Sequence, residues 1–281
     1  MLPDAANAAF AAFAAYAVPS RPRSQDTTMN YNWNWHIFLE MSPTGGIYLG
    51  TLLTGMAWTL GTAALAWILA LSIGVLVGVA RTTRMKWARV LGAAYVEFFR
   101  NIPLLVQMFL WYFVVPEILP VQLGDAIKSI PPPWGIFIPA VLCLGFYTSS
   151  RVAEQVRAGI ESRPAGQRMA ATALGMRPSQ VYRYVLLPTS FRIILPPLTS
   201  ELLNLIKNTS VAFTIGLLEL VGAARSMQEF SFQVFEAFAG ATLCYFLLNL
   251  IVLRAMRYIE TRLAVPGFMG PASVTTKLAP T

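Results

Sequence analysis

Between two long apolar segments, the chain reads Gly166-Gln-Arg-Met-Ala-Ala-Thr-Ala-Leu-Gly-Met-Arg-Pro-Ser-Gln-Val-Tyr-Arg-Tyr-Val-Leu-Leu-Pro188, a stretch that is basic and moderately polar. Its first part, 167–174, is rich in alanine and predicts a short helix that ends at Gly175. Arg177-Pro178 predicts a turn, after which Ser179 can cap a second short helix. Because irregular backbone cannot be left without hydrogen bonds in lipid, this helix-turn-helix is expected to lie outside the bilayer.

The composition indicates a polytopic membrane protein. Of the 281 residues, 56% are hydrophobic and only 12% are charged, whereas a soluble domain has about 25% charged residues. The apolar residues form long runs, which favours membrane spans over a large soluble core. The net charge of +8 comes from basic residues in short loops beside these runs, with no basic-aromatic stripe of the kind that binds nucleic acid.

The apolar runs predict an all-α protein with about five transmembrane helices in a domain of residues 47–263. The spans are expected at about 47–80, 90–115, 134–159, 193–218 and 237–258. The loop 81–89 has four basic residues and no acid, and the stretch 157–192 has six basic residues against one acid. Both are therefore expected in the cytoplasm, with the N-terminus outside and the tail 264–281 inside. The stretches 116–133 and 219–236 are expected to be outer loops.

Three local features refine the spans. The first apolar run exceeds the roughly 20 residues that a perpendicular helix needs, so its first part is expected to be an interfacial or tilted lead-in. Gly74-x-x-x-Gly78 presents a small face that another helix can approach. Pro103 is expected to kink or restart the second span.

The N-terminal region and the isolated reactive residues suggest no chemistry. Met29 looks like a natural start, so residues 1–28 are interpreted as a disordered extension or a mis-assigned start, and 29–46 as a periplasmic or interfacial segment. Cys143 and Cys244 lie within apolar runs and are interpreted as core residues. With a single histidine, His36, the sequence predicts neither a metal site nor catalytic residues.

The basic stretch resembles the EAA loop of the membrane subunits of ABC importers, in which Glu-Ala-Ala is followed by Gly and by an apolar-Leu-Pro ending. Met169 stands where that family usually has Glu. The resemblance implies that 163–190 is a cytoplasmic coupling loop that docks on an ATP-hydrolysing subunit. The residues assigned to this coupling are Gly166, Gln167, Met169, Ala170, Ala171, Gly175, Leu187 and Pro188.

The likeness covers nearly all of residues 29–270 and is to permeases for polar amino acids, above all to those for glutamate and aspartate. Glu97-Phe-Phe-Arg-Asn-Ile-Pro-Leu-Leu-Val-Gln107 looks like the second-span element of these permeases, and 195–210 looks like their fourth-span element. The resemblance implies a related permease as partner, usually as a heterodimer, two ATP-binding subunits, a periplasmic amino-acid-binding protein and a bacterial inner membrane. The chain lacks a Gly-x-x-x-x-Gly-Lys-Ser/Thr phosphate loop, so ATP-Mg is expected on the partner and no cofactor on this chain.

Polar residues inside spans are costly and are therefore candidates for function. The residues expected along the translocation path are Arg151, Glu154, Asn204, Lys207 and Asn208. This part of the chain resembles a Tyr-x-x-Glu pattern of the wider family, with Glu154 at the position of the Glu and Arg151 in place of the aromatic residue. An arginine can bind the extra carboxylate of an acidic amino acid. The alternative is an Arg151–Glu154 pair at i, i+3.

Other polar residues and other classes of function stay open. Glu201 and Lys207 can serve helix packing or gating rather than substrate contact, and Glu97 and Arg100 are expected to form a structural pair. The predicted function is import of acidic amino acids. Another polar substrate such as glutamine is the alternative, followed by an ATP-independent secondary transporter or channel and by a non-transporting scaffold.

Overall fold

The structure, a computed structural model, describes residues 31–43, 45–163 and 165–263. The predictions for 1–28 and for 264–281 lie outside these residues. The described part is helical, as predicted. Met41 and Ile47 form an isolated antiparallel β-bridge. The described residues of the unit 1–34 show an edge-on contact between the rings of Tyr31 and Trp33, whose centroids are 4.9 Å apart. The second unit begins at Trp35.

A 3-10 helix, Trp35–Leu39, precedes the α-helices. The helices are α1 Tyr48–Thr82, α2 Lys86–Asn101, α3 Leu104–Ile118, α4 Val121–Lys128, α5 Trp134–Glu161, α6 Ala165–Ala173, α7 Pro178–Ile215, α8 Leu220–Ser231 and α9 Val234–Leu263. Within α3 and α7, the segments Leu110–Val114 and Val181–Leu186 are π-helical, and α7 ends in the 3-10 segment Thr209–Ile215.

The described helices supply three to five membrane spans. Three of them, α1, α5 and α9, are long and apolar enough to cross a membrane singly. The pairs α2–α3 and α7–α8 have the length and apolar character of a span when each pair is taken together, and their axes bend by 101° and 50°. The number of spans and the side on which each terminus lies stay predictions.

The break between α2 and α3 is where Pro103 predicts it. A proline cannot donate a backbone hydrogen bond, so the break leaves carbonyl groups at the end of α2 without helical partners. The side chain of Gln107 supplies these bonds, since its Nε2 donates to the carbonyls of Phe99 and Ile102 at 2.8 Å each. Gln107 is only 2% exposed, so the side-chain amide that bonds these carbonyls at the bend between α2 and α3 is buried.

A stripe of small residues along α1 lets this helix, about 52 Å long, pack closely on its neighbours. A Cβ atom at Gly74 would lie 2.6 Å from Cβ of Val152, and one at Gly78 would lie 2.7 Å from Cβ of Val156. The Gly74-x-x-x-Gly78 face is thus where α5 approaches within the same chain.

The expected interfacial lead-in before this stripe is not separate from the span. The first turns of α1 continue without a break into the rest of the helix. At Gly55 a Cβ would lie 2.7 Å from Cβ of Ala223 in α8, so packing against α8 holds this end of α1 in helical form.

Two stretches expected as loops contain helices. The stretch 116–133 includes α4, and the stretch 219–236 includes α8, which buries Leu220, Ala224 and Met227 against α1 and α9. These apolar residues recur at helical spacing and outweigh the acidic residues that suggested a loop. In α4, Lys128 donates a hydrogen bond of 2.6 Å to Glu117, which raises the pKa of the Lys128 amine.

The predicted second short helix and fourth span are one helix, α7, and Ser179 does not cap it. The helix begins at Pro178, and the Gln180 side chain accepts the backbone N–H of Arg177 at 2.8 Å. The π-helical turns before Pro188 widen the helix at this point. In a regular α-helix the proline ring would clash with the carbonyl group four residues earlier.

The two cysteines lie in the core, as predicted. Cys143 is fully buried with Leu144 and Leu205, whereas Cys244 is half-buried against a second cluster between α1, α8 and α9.

Candidate translocation path and coupling segment

A carboxylate on α5 joins three helices at the end of the fold where α1 ends. Glu154 contacts the guanidinium of Arg81, and its Oε1 lies 2.7 Å from Nη2 of Arg157. Arg100 of α2 approaches it at 3.9 Å, and Arg157 also bonds Glu161 at 2.6 Å. We call these five residues the Glu154 cluster.

Packing brings the members of the Glu154 cluster together. The aliphatic part of Arg81 crosses α2 at Gly92, where a Cβ would lie 2.7 Å from Cγ of Arg81. The side chain of Arg81 is 14% exposed and that of Glu154 is 27% exposed, so both charges are largely removed from solvent. The predicted Glu97–Arg100 pair is wrong. Glu97 is exposed, and Arg100 reaches toward Glu154 instead.

Arg151, one turn before Glu154 on α5, has different partners. Its Nη2 donates to Oη of Tyr147 at 2.9 Å, and its guanidinium lies 5.1 Å from the centroid of the Tyr147 ring. Its Nη1 lies 3.8 Å from Oε2 of Glu201 on α7. The alternative Arg151–Glu154 pair is therefore not formed, since arginines of α1 and α5 occupy the Glu154 carboxylate.

The polar residues of α7 lie partly on the same helix face as Glu201. Asn204 and Asn208 follow Glu201 at i+3 and i+7 and are half-buried, while Lys207 is exposed. The structure thus groups Arg151 with the Glu201 face, and it places Glu154 in a separate charge network. The assignment of these residues to a translocation path stays a prediction.

The predicted coupling stretch forms the compact turn that its sequence indicates. α6 ends at Ala173, and Gly175 has a φ of +78°. The N–H groups of Gly175 and Met176 donate to the carbonyls of Thr172 and Ala171 at 3.0 and 3.2 Å, which is a Schellman motif. Ala171 is buried, whereas Met169 and Leu174 are 65% and 83% exposed.

The residues assigned to coupling divide into an inner and an outer group. Ala171 packs inward against Val181 and Leu186. Gln167 and Leu187 are half-buried, and the exposed members are Gly166, Met169, Ala170, Gly175 and Pro188. The exposed residues assigned to coupling are therefore apolar or small, and Arg168 and Arg177 are exposed in the same stretch.

A tyrosine joins this segment to the end of α1. Tyr182 donates to the carbonyl of Thr82 at 2.9 Å, and its Oη lies 3.2 Å from Oγ1 of the same residue. Thr82 follows Arg81 directly, so the coupling stretch and the Glu154 cluster share one attachment point.

Glu219 is a buried polar residue that was not predicted, since it lies in a stretch expected to be an outer loop. Glu219 is fully buried and caps α8, where its carboxylate accepts the N–H groups of Val221 and Gly222 at 3.0 Å. Tyr245 of α9 donates to it at 2.8 Å, and Thr59 of α1 lies 3.5 Å away. The signal was an acid placed immediately before an amphipathic stretch, which favours a helix N-terminus.

Comparison with known proteins gives consistent matches. The family model described as "binding-protein-dependent transport system inner membrane component" matches residues 70–265. The glutamate/aspartate import permease protein GltJ of Escherichia coli (strain K12) is 43% identical over 244 residues, which is 86% of this chain and 99% of that protein. The probable glutamine ABC transporter permease protein GlnM of Bacillus subtilis (strain 168) is 36% identical over 191 residues, 68% of this chain and 83% of that protein.

A solved structure agrees with these matches. The crystal structure of an amino acid ABC transporter with histidines superposes with a TM-score of 0.65 at 28% identity, and the match covers 76% of this chain and 95% of that chain.

Proposed function

The chain belongs to the family of binding-protein-dependent transport system inner membrane components, and we propose that it is the permease subunit of an ATP-driven ABC importer for glutamate and aspartate. The similarity to a glutamate/aspartate import permease over nearly all of that protein's length supports this substrate class. The chain acts as a transport subunit, and a partner hydrolyses ATP.

The observation that carries the substrate class is the environment of Arg151. Its side chain is 41% exposed, and Tyr147 holds one side of the guanidinium. An acidic amino acid differs from a neutral one by a side-chain carboxylate, for which a planar guanidinium is a bidentate partner. Asn204 and Asn208 on the Glu201 face offer amides for the remaining polar groups of a substrate.

We further propose that the exposed face of α6 docks on the ATP-hydrolysing subunit. In the assembly, two such subunits hold ATP-Mg, a related permease pairs with this chain, and a periplasmic amino-acid-binding protein delivers the substrate. The N-terminus then lies outside the bacterial inner membrane, and α6 and the C-terminus lie in the cytoplasm. Because Met169 and Leu174 are apolar and exposed, the contact buries apolar surface rather than forming an ion pair.

Point variants at Met169 of α6 and at Leu174, in the turn that follows α6, test this docking. Met169→Asp and Leu174→Asp place a charge where apolar contact is expected and should each reduce co-purification of the ATP-hydrolysing subunit at least tenfold, a loss of about 1.4 kcal/mol. Leu123→Asp is the matched control, since Leu123 is 55% exposed on α4 and should leave co-purification unchanged. Equal recovery with all three variants would refute the docking assignment.

Uptake by the complete complex in proteoliposomes tests the function. With ATP inside and candidate binding proteins outside, labelled glutamate and aspartate should enter, and arginine should not. Uptake that continues without ATP would contradict the proposal and favour a secondary transporter.

A second candidate function is import of glutamine. It is favoured by the match to a probable glutamine permease over 83% of that protein. ATP-dependent uptake of glutamine in place of the acidic amino acids would select this candidate.

A further inference from the structure

The Arg151–Glu201 pair lacks the geometry of a structural ion pair. Charge-assisted hydrogen bonds between Arg and carboxylates have N–O distances of about 2.7–2.9 Å, whereas Nη1 of Arg151 lies 3.8 Å from Oε2 of Glu201. The same fold forms a short pair where one is needed, since Arg157 bonds Glu154 at 2.7 Å. The two charges attract each other, but no hydrogen bond joins them.

Arg151 is held from its other side. Tyr147 lies four residues earlier on the same helix, and it both accepts a hydrogen bond from Nη2 and presents its ring to the guanidinium. These contacts orient Arg151 without using Nη1, the nitrogen that faces α7. The Nη1 group of Arg151 is therefore held facing Glu201 but makes no hydrogen bond to it.

Exposure differs sharply between the two partners. The Arg151 side chain is 41% exposed, whereas that of Glu201 is 12% exposed. A small molecule can therefore reach the guanidinium, while the carboxylate stays behind it on α7. A substrate carboxylate that approaches the exposed side of Arg151 can therefore bind a guanidinium that lies near the Glu201 carboxylate without a hydrogen bond to it.

We propose that Glu201 is an affinity-determining residue that competes with the substrate for Arg151. In the empty path Glu201 balances the charge of Arg151. The side-chain carboxylate of an acidic amino acid then takes the hydrogen bonds to Arg151 that Glu201 does not make. This inference rests on the proposed function, because it assumes that acidic amino acids pass Arg151.

The exchange has two consequences. A neutral amino acid whose α-carboxylate is bound elsewhere in the path has no second carboxylate to displace Glu201, so its side chain gains nothing from Arg151. The resident carboxylate also repels the bound substrate, which weakens binding and favours release, as a transport site requires. Glu201 thus lowers the affinity for acidic amino acids at the site where Arg151 raises it.

Equilibrium binding of labelled glutamate to the purified complex in nanodiscs, without the binding protein, tests the competition. Glu201→Gln removes the competing charge and should bind glutamate about tenfold more tightly than the wild type. Glu201→Asp keeps the charge, so its affinity for glutamate should be close to that of the wild type. Glu260→Gln is the matched control, because Glu260 accepts a hydrogen bond from Thr199, two residues before Glu201, and should leave glutamate affinity unchanged.

Two outcomes would overturn the inference. One is unchanged or weaker glutamate binding by Glu201→Gln in a complex that assembles normally, which would leave Glu201 a packing role. The other is a gain of affinity that Glu260→Gln reproduces, which would indicate a general effect of charge. Uptake by the wild-type complex separates these from failure of the proposed function. If the wild type imports acidic amino acids, either outcome rejects only the competition.

Discussion

Glu154 and Glu201 both face arginines at helix contacts, yet the two sites differ in closure. Glu154 meets Arg81 and Arg157 at hydrogen-bonding distance, and the side chain of Arg81 is only 14% exposed. Glu201 meets Arg151 without a hydrogen bond, and that arginine is open to solvent. A closed group of charges holds helices together, whereas an open pair can exchange a partner for a ligand.

The largest effect on stability is expected at the closed site. Glu154→Gln leaves the half-buried guanidinium of Arg81 without its counter-charge and should destabilise the complex by about 2 kcal/mol, less than for a fully buried pair because the site is partly exposed. Thermal unfolding of the assembled complex in detergent measures this loss. A thermal midpoint equal to that of the wild type would show that the Glu154 cluster does not hold the helices.

A smaller effect on stability is expected at Gly92, where the side chain of Arg81 packs against α2. Gly92→Val places side-chain atoms against Cγ of Arg81 and should cost about 1 kcal/mol through displacement of that side chain. Gly61→Val is the matched control, because a Cβ at Gly61 of α1 meets nothing within 4 Å. If both valines lower the thermal midpoint equally, the cause is not the contact with Arg81.

The smallest effect is expected at the rim of the same cluster. The Arg157–Glu161 bond links a half-buried arginine to an exposed carboxylate at i, i+4 on one helix, so Glu161→Gln should cost only about 0.3 kcal/mol. The same thermal assay checks this value. A loss as large as that of Glu154→Gln would mean that the cluster acts as one unit rather than through Glu154.

Local signals predicted much of the fold. The all-α class follows from the long apolar runs, the break at Pro103 from a missing backbone donor, and the end of α6 from Gly175. Each of these depends on residues within one or two turns of the chain. The short stretch around Met169 was predicted in outline for the same reason, although its docking role is still to be tested.

Pairing between helices was not predictable in the same way. Spacing on one helix suggested Glu97 with Arg100 and left Arg151 with Glu154 as an alternative, yet the actual partners come from other helices or from another turn. Which arginine reaches Glu154 depends on how closely α1 packs on α5, and that depends on glycines whose neighbours the sequence does not name. For Glu219 the cap of α8 is local and had a sequence signal, but its partners Tyr245 and Thr59 lie on two other helices and could not be predicted.

The most direct test of the contrast between the two sites is ATP-dependent glutamate uptake by Arg151→Gln, normalised to the amount of assembled complex. We expect uptake to fall about tenfold or more, equivalent to about 1.4 kcal/mol, and the thermal midpoint to stay close to that of the wild type. Arg225→Gln, which breaks an exposed pair with Glu229 on α8, should retain uptake. Unchanged glutamate uptake by Arg151→Gln would contradict the account, because the open arginine would then have no role in transport.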